Sequence, residues 1–212
     1  TTEIYTLSLR DALPILRYYT QGALLESDSK TDFAIEGNGF FAVRGADGNT
    51  YYTRNGNFTW SLNAAGRTIL ADQEGYPVLD SRGNEIMVPR NVNAESMVFS
   101  EDGTIAYRDP ETSQVIPLNQ SFGIYQFNNP AGLEKLSSSR LQATPASGNA
   151  LLEGATRGLT RSKVIQSRLE GSNVQVADEM VNMIVAQRAY ELNSKAITTA
   201  DSMLDTANNL KR

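Results

Sequence analysis

Residues 173–212 read NVQVADEMVNMIVAQRAYELNSKAITTADSMLDTANNLKR, forty residues without a proline or glycine. Steps of seven from Val176 reach Met183, Tyr190, Ile197 and Leu204, with Met180 one turn beyond the first. Three residues past these steps stand Glu179, Ala186, Asn193, Ala200 and Ala207. Large residues alternating with mostly small ones form the seam of a helix that lies closely along another helix. At about 1.5 Å per residue such a helix runs roughly 60 Å, more than an ordinary domain is wide. An apolar stripe commonly packs on its own domain's core. The length, the heptad period and the small seam residues argue instead for a partner elsewhere. No other stretch of the chain carries a matching stripe, so the seam is expected to be covered by another molecule or by a helix missing from this copy. Ser172, with Gln175 three residues on, predicts a capping box. Asp178 and Glu179 at the start, and Lys211 and Arg212 at the end, suit the helix dipole.

Upstream the period changes from helical to short and alternating. Between Thr31 and Leu141 the sequence predicts strands at 33–35, 40–43, 50–53, 57–60, 68–70, 76–79, 86–88, 97–99, 104–107, 114–116 and 123–127. These runs are rich in aromatic and β-branched residues. Asp47-Gly48 and Asn55-Gly56 read as positive-φ hairpin pairs. No helical pattern long enough for a crossover lies between the strands, so the sheet is expected to be antiparallel. Pro145, Gly148, Gly154 and Gly158 make 142–160 a loop-rich connector, and 163–169 alternates like a strand returning to the sheet. The expected organisation is a β-rich domain over 19–169 and an assembly helix over 170–212, mainly β with one long terminal helix. Residues 1–18 fit neither part. Ala12-Leu13-Pro14-Ile15 is what GCT-CTT-CCG-ATC would encode, a string similar to a sequencing adapter, so this stretch is expected to be non-native.

Composition removes several function classes. The chain has no cysteine and no histidine, which leaves no disulfide, no thiolate or imidazole metal ligand and no histidine acid–base chemistry. Its net charge is −5 with the cations scattered, so no basic stripe offers itself to nucleic acid. No run approaches the roughly 20 apolar residues of a membrane span, and no ordinary secretory signal opens the chain.

The remaining chemical candidates are weak. Gly37-Asn38-Gly39-Phe40-Phe41-Ala42 fits the loose GxGxxA dinucleotide pattern, but Val43 through Gly48 cannot continue as a helix, so a turn leading into a strand is expected. Asp72 with Glu74, and Glu101 with Asp102, resemble glycosidase carboxylate pairs, yet each sits beside a glycine in a turn. Asp201 and Asp205 share a helix face without a third ligand. Asn57 and Asn119 open short glycosylation sequons. Trp60 and the tyrosines suit either a sugar platform or cross-strand packing, the second being commoner. No catalytic, cofactor or metal site is expected, and no small-molecule substrate.

Three groups of motifs together resemble the bacterial flagellar rod and hook proteins. Gly171-Ser172-Asn173-Val174, Glu179-Met180-Val181, then Gln187-Arg188-Ala189-Tyr190-Glu191 and Asn193-Ser194-Lys195 are similar to the family's C-terminal signature. Tyr19-Thr20-Gln21-Gly22 and Asp32 through Phe41, with Gly37 and Gly39, resemble the segment leading into its β domain. Tyr52 through Phe58, Gly75 through Leu79 and Asn129 through Leu133 extend the likeness. The ending from Ala200 to Leu210 is most similar to distal rod members. The resemblance implies a structural subunit of the basal-body rod that self-assembles into a torque-transmitting shaft. Its implied partners are copies of itself and other rod, hook and ring proteins. It also implies export without a cleaved signal, and an N-terminal partner helix that this chain lacks. From a different class, a secreted carbohydrate-binding or adhesive β module with an oligomerising tail remains the alternative.

Overall fold

A computed structural model describes residues 19–136 and 139–210. The segment expected to be non-native, 1–18, lies outside the described residues, as do Lys211, Arg212 and the side chains of Ala207, Asn208 and Leu210. The chain divides into two compact units between Gly171 and Ser172.

The first unit is built from short strands. In chain order they are β1 (Leu24–Glu26), β2 (Phe33–Glu36), β3 (Phe40–Arg44), β4 (Thr50–Thr53) and β5 (Thr59–Leu62). There follow β6 (Thr68–Ala71), β7 (Met97–Phe99), β8 (Thr104–Arg108), β9 (Val115–Ser121) and β10 (Ile124–Gln126). The last are β11 (Glu134–Lys135), β12 (Leu141–Gln142), β13 (Leu151–Leu152), β14 (Lys163–Gln166) and β15 (Arg168–Glu170). A six-stranded sheet runs β11-β12-β4-β3-β10-β13, a three-stranded one β7-β8-β9, and β1-β15, β2-β14 and β5-β6 form pairs. Each of these pairings is antiparallel, as the short turns require.

One turn design recurs. The side-chain oxygens of Asn63, Asp72 and Asp80 each accept the N–H two and four residues on, at 2.7–3.0 Å. A positive-φ glycine follows each by three residues. The acceptor satisfies two turn amides that no ladder can reach, and so fixes both the loop length and the strand register.

Strand β3 organises the interior because all four of Phe40 to Val43 are buried. The two-residue alternation sends Phe41 and Val43 into one core with Phe33, Phe58, Ile105 and Phe122. It sends Phe40 and Ala42 into a second, with Tyr52, Phe127 and Leu133. Edge-to-face contacts knit both: Phe41 to Phe58 at 5.1 Å and Tyr52 to Phe127 at 4.8 Å.

The structure departs from the sequence expectations at four places. Residues 76–79 and 86–88 join through isolated bridges such as Val43↔Val78 and Ile69↔Met87 rather than as full strands. Pro77 has no N–H to give, which interrupts a ladder there. The returning 163–169 strand breaks at Ser167, φ 56°, into β14 and β15, paired with β2 and β1. Gly56 is not a hairpin glycine; a Cβ on it would lie 1.7 Å from the Phe33 carbonyl oxygen, so it marks a close backbone approach. Finally, helix α1 spans Val176–Leu210 and starts later than the Ser172 capping box predicts. The Ser172 hydroxyl accepts from Val174 N–H, two residues on, and Gln175 supplies the first helical carbonyl, accepting from Glu179. Spent on a local turn, the serine cannot cap the helix.

Candidate functional site

The second unit is the helix. Its seam residues Val176, Met180, Met183, Ala186, Tyr190, Ile197, Ala200 and Leu204 are all exposed, Met183 at 71% and Tyr190 at 77%. Every other described side chain of α1 is exposed too. At about 100° per residue the large members of this seam fall on one side. Val181, Val185, Leu192 and Met203, spaced 4, 7 and 11 residues apart, fall roughly opposite and are equally open. The helix is therefore apolar on two faces. A heptad count anchored at Val176 steps past the second face, whereas steps of eleven from Val181 reach Leu192 and Met203.

The polar residues of the C-terminal signature hold the helix surface. Gln187 Nε2 donates to Glu191 Oε1 at 3.3 Å, and Arg188 pairs with Glu191 at 3.0 Å. These are same-face neighbours on an exposed helix and contribute a few tenths of a kcal/mol, roughly 0.2–0.5 each. The Lys195 carbonyl accepts the hydroxyls of Thr198 and Thr199. Asn193 is exposed, and Asn173 precedes the helix in the open linking segment.

In the first unit Gly37 and Gly39 occupy the β2–β3 turn, and β3 rather than a helix comes next, so the dinucleotide pattern has no helix N-terminus to offer. Their carbonyls instead receive Arg54 Nη1 at 2.8 and 3.0 Å, while Arg54 Nε bonds Glu170 at 2.8 Å. The carboxylate candidates are turn builders. Burial pushes the Asp72 carboxyl up against the pull of the Tyr76 and Glu74 amides it accepts, and Glu74 pairs with Arg140 at 2.8 Å. The Thr104 hydroxyl and amide hold Asp102 below the usual carboxylate range. Trp60 is half-buried and stacks on Phe99 at 6.5 Å. Phe99 lies edge-on to Phe33, so these rings extend the first core. Among the described residues, no helix is long and apolar enough to cross a membrane.

A twin-cored antiparallel domain followed by a helix with two uncovered apolar faces is the arrangement of a structural subunit. The chain belongs to the bacterial flagellar rod and hook protein family. The family model for the flagellar hook protein FlgE/F/G D1 domain matches residues 34–107, and that for the flagellar basal body rod FlgEFG protein C-terminal matches 165–210. The flagellar basal-body rod protein FlgG of Borreliella burgdorferi is 40% identical over 196 residues, 92% of this chain and 70% of that protein. FlgG of Agrobacterium fabrum is 40% identical over 194 residues, 91% and 70% of the two chains. FlgG of Bacillus subtilis is 37% identical over 181 residues, 85% and 65%. The distal rod members are thus what the chain is similar to across both of its units. The comparisons lend no support to a carbohydrate-binding module.

Proposed function

We propose that the chain is a structural subunit of the flagellar basal-body rod, and that α1 is the element by which it joins other rod and hook components. The seam of Val176, Met180, Met183, Ala186, Tyr190, Ile197, Ala200, Leu204 and Ala207 is the docking surface. Ala186 and Ala200 let a neighbouring backbone approach, and the large residues fill the grooves between. Burying each large side chain contributes on the order of 1.5–3 kcal/mol, enough for five together to offset the cost of ordering a long helix. A contact repeated head to tail without closing generates a helical tube, so torque passes through many small interfaces. In this reading the subunit works in the basal body as a mechanical part, binds no cofactor and is exported without a cleaved signal.

The observation that carries the proposal is the exposure of the seam from Val176 to Leu204 in a chain whose β domain already has closed cores. Tyr190→Asp and Ile197→Asp test it in motile cells. Each variant is expected to fold its β domain normally, to fail to enter purified basal bodies and to leave the cells non-motile. Swimming cells with either variant incorporated would overturn the assignment of the seam.

A further inference from the structure

The strands that open and close the β domain, β1 and β15, pair with each other over three residues, Leu24↔Glu170 to Glu26↔Arg168. A two-stranded ribbon this short holds weakly by itself. Force arriving through the following helix would reach it at Gly171 and open it one pair at a time. Glu170, at that vulnerable end, has both carboxylate oxygens engaged. Oε1 accepts the Gly22 N–H at 3.0 Å, and Oε2 accepts Arg54 Nε at 2.8 Å.

The far side of the Arg54 guanidinium is gripped by the body of the domain. Nη1 donates to the Gly37 and Gly39 carbonyls, and Nη2 to Ile35 at 3.4 Å. The group also lies 5.7 Å from the centre of the Phe40 ring, in the second core. Gln21 repeats the fastening on the incoming side, donating to the Ile35 carbonyl and accepting the Gly37 amide, both at 3.1 Å. The Arg54 and Glu170 side chains are only 16% and 13% exposed, unlike the open Lys163–Glu101 pair.

We propose that Arg54 is a force-carrying tie, clasping the outgoing strand to the β2–β3 turn so that load bypasses the ribbon and enters the cores. Its purpose rests on the rod-subunit reading; its measurement does not, because it is made on the isolated chain. The absence of native cysteine allows unique pulling handles at Ala65→Cys and Ser172→Cys. Stretching between them should show the ribbon opening before the cores unfold. Glu170→Gln and Arg54→Lys are each expected to lower the opening force at least twofold and to leave core unfolding unchanged. Lysine keeps the charge but cannot span a carboxylate and three carbonyls. Lys163→Gln should change nothing. Native-state hydrogen exchange provides the second measurement: Gly22 and Gly171 amides should exchange at least tenfold faster in Glu170→Gln, with Phe41 and Leu70 unaffected. Opening at the wild-type force, or equal weakening of ribbon and cores, would overturn the proposal.

Discussion

Replacing Gly56 by alanine should be far more damaging than its sequence context suggests. An added Cβ would sit 1.7 Å from the Phe33 carbonyl oxygen and 2.7 Å from its carbon, and ordinary contact begins near 3.4 Å. Strand β2 must then retreat by about 1.7 Å, the difference between the first and last of those distances. The retreat breaks the 2.9 Å bond from Phe33 N–H to the Gly56 carbonyl, worth about 1 kcal/mol. It also drags Phe33 away from Phe99 and Phe122, whose rings lie 4.7 and 5.0 Å from it. Overpacking a closed core adds roughly 1–3 kcal/mol. The sum is a loss of about 3 kcal/mol, readable from denaturant unfolding of the isolated chain. Gly66→Ala is the matched control: no atom lies within 4 Å of its added Cβ, and only its φ of +67° opposes the change, at about 1–2 kcal/mol. Equal losses for the two variants would refute the close approach at Gly56.

Two further outcomes concern the cores and the helix. Burial, with a smaller contribution from Tyr125, pushes the Tyr52 hydroxyl up to about 12. The unfolded chain therefore ionises first, and stability supplied by neutral Tyr52 is intact below about pH 10 and lost as pH rises toward 12. Unfolding midpoints of Tyr52→Phe should fall less steeply over that window; identical slopes would refute the burial argument. On the second helix face, Leu192→Asp should change the isolated chain's stability by less than about 0.5 kcal/mol while preventing incorporation into basal bodies. Normal incorporation would leave that face without an interface role.

Much of the architecture is legible because its cues are local. Asp47-Gly48, and the carboxylates beside glycine at Glu74 and Asp102, announce turns on sight, and Phe40 to Val43 announces a strand. The short pairings β1–β15 and β10–β13 are not legible, since they join residues far apart whose side chains carry no alternation long enough to recognise. The Asn55-Gly56 pair misleads for a related reason: the glycine answers to Phe33, far upstream, and not to its own turn. Ser172 misleads at closer range, because a hydroxyl two residues from an amide is satisfied before a capping geometry forms. In the helix the heptad at Val176 is easily seen, whereas Val181, Val185, Leu192 and Met203 form a separate phase. Arg54 carries no sequence signal of its clasp, because its partners come from two separated segments, 35–40 and Glu170.

Assembly through α1 requires a seam that is open in the free subunit and covered in the rod. Met183→Cys, unique in a chain without cysteine, reports on it directly through maleimide labelling of the isolated protein and of purified basal bodies. Rapid, complete labelling of the free chain and protection in the assembled rod are expected. Equal reactivity in both would contradict a seam that serves as the docking surface.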